Sequence, residues 1–332
     1  MLTSDDSPGV SGLLQTTVLD GRGGGRRIPR SEYDSFDATG LIVWPHLHAE
    51  DPTSRTFLVE AEEFREDATR ALLEPETRPR VARIDEGLLV ILRGINFNEG
   101  YEPMNMVSLR FWFDSEHVVS TARRRIFSIE DVTVALEQGE GPKSPVEVVL
   151  WIVNRFLERM EPYLLGLDER GNQIEARVFD EEDDDGDEFE ELAELRREAI
   201  AIRRFIAPQK EALTRLAVEV KQRAGLDAAE LAFELAERQT RMVEDVDELV
   251  ARMGVVDDLL HSRAAERLNQ RMWVLSIITA VFLPLGLITG LLGINVGGLP
   301  LADSPHGFLW VCLLLVGLVL VQGVWLRRRG WF

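Results

Sequence analysis

Only one of the 332 residues is cysteine, and a lone thiol forms no intrachain disulfide. That residue, Cys312, reads as a packing residue, and the rest of the chain fits a reducing compartment. No long apolar stretch follows the N-terminus MLTSDDSPGVSGLLQTTVLD, so a cleaved secretory signal is not expected. There is no phosphate loop, no nucleophile motif and no run of metal ligands at standard spacing, which argues against an enzyme. The acidic run DEEDDDGDEFEE, Asp180–Glu191, puts ten carboxylates in twelve residues without calcium-loop spacing. A solvated hairpin tip is its plain reading, and a weak cation-collecting surface is the sharper one.

Basic residues are also scarce. The formal net charge is −20, and residues 1–268 carry 33 basic against 56 acidic side chains. Such a field attracts cations and repels nucleic acid and anionic lipid, so no nucleic-acid partner is expected.

The apolar residues, 45% of the chain, crowd into its last fifth. Trp273–Leu292 and Gly307–Leu326 are each free of charge for 20 residues. A 20-residue helix is about 30 Å long, the thickness of a bilayer's hydrocarbon core. Arg263, Arg267 and Arg271 precede the first run, and Arg327, Arg328 and Arg329 follow the second. The loop between them has no Lys or Arg. By the positive-inside rule both termini are cytoplasmic, and the expected location is the cell inner (plasma) membrane.

Seven segments follow from this patterning. Residues 1–38, rich in Gly, Ser, Asp and Arg, are expected to be a loose tail. Residues 39–140 alternate short apolar runs with turn signals and read as an α+β cytoplasmic domain, a mixed sheet with helices around Thr53–Glu74 and Ile129–Glu137. Residues 141–271 read as long helices. Met242, Val246, Leu249, Met253, Val256 and Leu260 recur in steps of four and three, a seam for packing against other helices. This last helix runs on into a two-helix transmembrane region, with spans at 272–292 and 307–326, an outer loop at 293–306 and a basic tail at 327–332.

The first span has a face that anchoring alone does not require. Asn269, Met272, Ser276, Thr279, Leu283, Gly286, Gly290 and Gly293 fall on one side, mostly small or polar. Val274, Ile277, Ile278, Val281 and Leu285 lie opposite, toward lipid or the second span. A small-residue stripe suits close helix packing, and it suits equally a pore wall built by a symmetric oligomer. Asn295, just past this span, carries an amide oxygen able to accept hydrogen bonds from the water shell of an arriving cation. Of the histidines, His46, His48, His117 and His261 read as structural or surface residues. His306, in the outer loop, is a candidate transient metal ligand.

The segment RMWVLSIITAVFLPLGLITGLLGINVGGLP, with the final span ending in LRRR, resembles the CorA superfamily of divalent metal cation transporters, and specifically its ZntB-like zinc branch. The resemblance extends to ETRPR at 76–80, ILRGINFN at 91–98, RRRIFSIEDV at 123–132 and AIAIRRFIAPQKEAL at 199–213. It implies a homopentameric funnel with the first span as pore wall, and Gly293, Ile294 and Asn295 as the selectivity motif. The pore-lining positions would be Asn269, Met272, Ser276, Thr279, Leu283, Gly286 and Gly290. It implies no permanent cofactor and a transported divalent cation: Zn2+ in first place, with Mg2+, Co2+ and Ni2+ as alternatives. Leu301 and His306 depart from the loop residues of the family, and the acidic pairs that gate its magnesium branch have no counterpart here. The competing reading is a membrane-anchored acidic scaffold or sensor.

Overall fold

The computed structural model describes residues 15–29, 32, 36–61, 66–74, 78–180, 187–294 and 304–330. The first element among the described residues lies inside the expected loose tail. β1 (Gln15–Leu19) and β2 (Gly25–Ile28) form an antiparallel hairpin, with Thr16 opposite Ile28. The glycines between them make the turn itself. Gly21 and Gly23 have φ of 71° and 108°, which non-glycine residues rarely adopt, and Asp20 accepts hydrogen bonds from the Arg22 and Gly24 amides. Val18 and Leu19 are buried, so the tail reading is corrected for residues 15–28.

The hairpin extends a sheet that also contains β3 (Ile42–His48), β4 (Arg80–Ile84), β5 (Gly87–Gly94), β6 (Val107–Phe113) and β7 (Val118–Ala122). Among the described residues the order is β2-β1-β3-β7-β6-β5-β4, and only β3 and β7 pair in parallel. Every residue of β6 is buried, as expected for a central strand covered on both faces. On one face Leu89, Ile91, Trp112 and Val119 pack with Leu58 of α1 (Pro52–Glu60) and with Ala68, Ala71 and Leu72 of α2 (Glu66–Leu73). The helical stretch expected at Thr53–Glu74 is thus divided, with Ala61 in an extended conformation at the end of α1.

The short α3 (Phe127–Glu137) leads into three long helices, α4 (Pro145–Asp180), α5 (Asp187–Arg223) and α6 (Leu226–Leu292). Residues 181–186 of the acidic run lie outside the described residues. The seam read from the sequence is the buried face of α6: Met242, Val246, Leu249, Met253, Val256 and Leu260 are all no more than 3% exposed. Surface pairs such as Arg196–Asp257, Arg203–Asp247 and Arg252–Asp168 join the helices, but such pairs add little. Burial of the apolar seam is the larger contribution. The chain divides into two compact units, 1–257 and 258–332, the boundary falling within α6. The second unit holds the end of α6 and α7 (Gly307–Arg328).

His46 gives this fold a measurable pH dependence. Its Nδ1 bonds the Ser120 hydroxyl at 2.9 Å, while His48 Nε2 bonds the Arg123 carbonyl at 2.8 Å, so both imidazoles have structural partners. Burial between strands holds the His46 pKa at about 4, assisted by the neighbouring His48. Because the folded pKa is depressed, the unfolded chain binds this proton first as pH falls below about 6.5. Stability is therefore full at neutral pH and is lost between about 6.5 and 4. Acidification from pH 7 to 4.5 is expected to cost about 2 kcal/mol through this group. A His46→Gln variant should show a correspondingly flatter dependence of thermal midpoint on pH. An unchanged slope would assign the acid sensitivity elsewhere.

Candidate functional site

α6 contains every residue of the small-and-polar stripe up to Gly290, and Gly293 and Ile294 follow its last turn. Asn269, Met272, Ser276, Thr279, Leu283, Gly286 and Gly290 are all exposed in the single chain. The opposite side is half-buried at Ile277, Val281, Pro284, Leu285, Ile288 and Leu292. α7 has a matching half-buried face at Val311, Leu315, Leu318 and Gln322, ending at the buried Leu326. Gln322 Nε2 reaches the Ala280 carbonyl at 3.5 Å, joining the two helices. Of the residues expected opposite the stripe, Ile277, Val281 and Leu285 are thus partly covered within one chain, whereas Val274 and Ile278 remain exposed.

The hydroxyls of the stripe already have partners for their protons. Ser276 Oγ donates to the Met272 carbonyl and Thr279 Oγ1 to the Leu275 carbonyl, each at 2.8 Å. A hydroxyl used this way satisfies its donor inside the helix and keeps a lone pair for an outside donor. The water shell of a cation presents such donors outward. Thr289, which the stripe read from the sequence passed over, bonds the Leu285 carbonyl at 2.9 Å. At 100° per residue it lies about 60° from Gly286, on the flank of the same face. Stepping strictly by three and four omitted it.

The helix ends where Gly293-Ile294-Asn295, the segment expected to act as a selectivity motif, begins. The Gly293 amide donates to the Thr289 carbonyl at 2.9 Å and to the Gly290 carbonyl at 3.2 Å. A β-carbon on Gly293 would sit 3.1 Å from the Thr289 carbonyl oxygen, so any larger residue would disturb this last turn. Asn295 lies outside the described residues. His306 is exposed and precedes α7 without a side-chain capping bond. Among the described residues no three His, Cys, Asp or Glu side chains gather as a metal site. His306 is therefore not brought together there with further ligands of that kind.

Two helices, α6 and α7, are long and apolar enough to cross a membrane. The family model of the CorA-like Mg2+ transporter protein matches residues 40–328. The chain belongs to the CorA family. Members of this family are transporters rather than enzymes, in agreement with the missing catalytic motifs. A CorA-family relative named divalent cation transporter CmaX, from Pseudomonas aeruginosa, is 38% identical over 322 residues, covering 96% of this chain and 97% of its own. A zinc transport protein ZntB from Yersinia enterocolitica is 32% identical over 326 residues, covering 97% of both chains. The solved full-length CmaX structure superposes with a TM-score of 0.81 at 37% identity, covering 97% of this chain and 99% of that one. The complete CorA magnesium transporter from Methanocaldococcus jannaschii, at 17% identity, has a TM-score of 0.78 over 96% of this chain and 98% of its own, and shows the shared fold.

Proposed function

We propose that this CorA-family protein carries divalent cations, zinc foremost, across the plasma membrane through a homopentameric pore. The observation that carries the reading is the open stripe of α6. The helix covers its opposite face with α7 and leaves Ser276, Thr279, Gly286 and Gly290 without cover in the single chain. Two spans cannot enclose a path, so copies of the chain must meet around one. Five copies follow the family resemblance, and the names of the ZntB and CmaX relatives support a divalent cargo. The arginines flanking the spans support a cytoplasmic location for both termini.

The chemistry favours passage of a hydrated ion. Stripping water from a divalent cation is costly, and the stripe offers only neutral groups to replace it. Side-chain oxygens with their own protons already bonded accept hydrogen bonds from the ion's waters at little reorganisation. The excess carboxylates of residues 1–268 raise the cation concentration at the inner mouth. Within the outer loop, His306 supplies a passing zinc ion with a transient nitrogen ligand.

Purified protein in liposomes tests the whole reading. Zn2+ flux is expected at about ten or more times that of empty vesicles. Mg2+, Co2+ and Ni2+ measured alongside, with the pH gradient set in each direction, assign selectivity and proton coupling. A His306→Ala variant should slow zinc more than magnesium. Flux no greater than empty vesicles for every ion would leave the membrane-anchored scaffold in possession.

A further inference from the structure

The four segments by which the soluble part resembles the family are spread over residues 76–213, yet each contributes to the wall of one cavity. Its volume is about 760 Å3, and its wall includes Arg78, Arg93, Arg124, Arg204 and Phe205. Arg78 comes from ETRPR, Arg93 from ILRGINFN, Arg124 from RRRIFSIEDV, and Arg204 with Phe205 from AIAIRRFIAPQKEAL. Nothing in cation transport asks for four guanidinium groups in one hollow of a protein whose net charge is −20.

Carbonyl oxygens and aromatic rings help to hold two of these cations in place. Arg124 Nη1 donates to the Asn105 carbonyl at 3.1 Å and lies over the Tyr101 ring at 4.3 Å. Arg93 Nη1 donates to the Met106 carbonyl at 3.4 Å, and Arg93 and Arg204 flank Phe205 at 5.6 and 5.9 Å. Among the described residues Arg78, Arg124 and Arg204 make no ion pair. Among the described residues, the nearby carboxylates Glu50 and Glu74 are engaged with Arg123 and Arg80.

A second, independent observation comes from the sheet beside Arg93. Arg110 is fully buried, and its Nε and Nη2 have no hydrogen-bond partner, while Nη1 bonds the Leu72 carbonyl at 2.8 Å. Burial, with the positive charges of Arg123 and Arg93, lowers its pKa to about 10. The carboxylates of Glu74 and Glu50 pull it the other way without cancelling that fall. A buried guanidinium with two nitrogens left without a partner is expensive, and an anion bound in the neighbouring cavity, which Arg110 itself does not line, offsets part of that expense through space.

We propose that this cavity binds a phosphate-bearing small molecule with two or more negative charges. Arginine forks match phosphate oxygens in pairs, and the volume lies in the usual range for small-ligand sites. Phe205, Pro79, Pro208 and Met106 give the cavity an apolar wall for the organic part. The site also abuts a buried relay to α6. The Arg93 amide donates to Gln209 Oε1 at 2.8 Å, Gln209 Nε2 to Gln239 Oε1 at 3.1 Å, and Gln239 Nε2 to the Ile206 carbonyl at 2.9 Å. A ligand on Arg93 thus meets the strand end that is hydrogen-bonded, through one glutamine, to the helix carrying the stripe.

The test is titration calorimetry of the full-length protein in detergent with ATP and, separately, with tripolyphosphate. EDTA is present to remove divalent ions, and the ionic strength is about 0.15 M to screen loose surface attraction. Saturable binding of at least one probe is expected with Kd below about 1 mM. Arg204→Gln alone should weaken it about threefold, and Arg124→Gln with Arg204→Gln about tenfold or more. Arg215→Gln, on an exposed part of α5, should leave it unchanged. Arg204 is itself exposed, so its replacement leaves the fold intact. Absence of saturable binding of both probes, or equal affinity in the double variant and the wild type, overturns the proposal.

Discussion

Asn295→Ala is expected to reduce divalent-cation flux at least tenfold while leaving the assembled protein intact. α6 ends at Leu292, and three residues at 3.8 Å per step keep the Asn295 Cα within about 11 Å of that end. In the proposed symmetric pore, the amides of all copies would ring the outer opening. Each replaced amide removes an acceptor for a water of the arriving ion, and a hydrogen bond of this kind contributes about 0.5–1.5 kcal/mol net. Loss of two such contacts already amounts to about 1–3 kcal/mol, against 1.4 kcal/mol for a factor of ten. Alanine adds no bulk and no charge, so size-exclusion profiles should match those of the wild type. Asn295→Asp makes the complementary test. A ring of carboxylates would bind cations more tightly, release them more slowly and bring flux under the control of pH. Unchanged flux in the alanine variant would remove this residue from the selection step.

The parts of the fold that follow from periodicity were readable in the sequence. The α6 seam spaced by four and three is buried at each of its six positions, and the two uncharged runs belong to the two membrane-length helices. The β1–β2 hairpin was obscured by its composition. GRGGGRR looks like a linker until Gly21 and Gly23 are seen to serve positive φ, with Asp20 closing the turn. Composition reports flexibility in the unfolded chain, whereas the two β-rich flanks decide whether a turn forms between them. The arginine cavity was unreadable for another reason. Arg78, Arg93, Arg124 and Arg204 have no periodic relation, and they meet only because β4, β5, the end of β7 and α5 adjoin in the tertiary fold. The stripe was legible as a face, but its hydroxyl orientations were not, since those depend on which carbonyl each proton selects.

Gly286→Leu decides what that face is for. In the single chain a β-carbon at Gly286 meets no atom within 4 Å, so leucine is accommodated without clash, and in a helix it is favoured over glycine by up to about 1 kcal/mol. Any loss of function must therefore arise between copies. If the stripe lines a pore, the substitution places a ring of isobutyl groups in the water path, and an apolar constriction blocks ions by excluding water. Flux should fall about a hundredfold with the assembly's mass unchanged. If the stripe instead packs helix against helix, the same side chains prevent close backbone approach and the assembly weakens. Native mass measurement together with flux separates the two results. Leu320→Phe on the exposed face of α7 is the control, expected to leave both readings as they are. Retained flux with retained mass would exclude both roles for the stripe. Loss of mass would keep close packing and withdraw the pore wall, while loss of flux alone identifies the helix along which the ion passes.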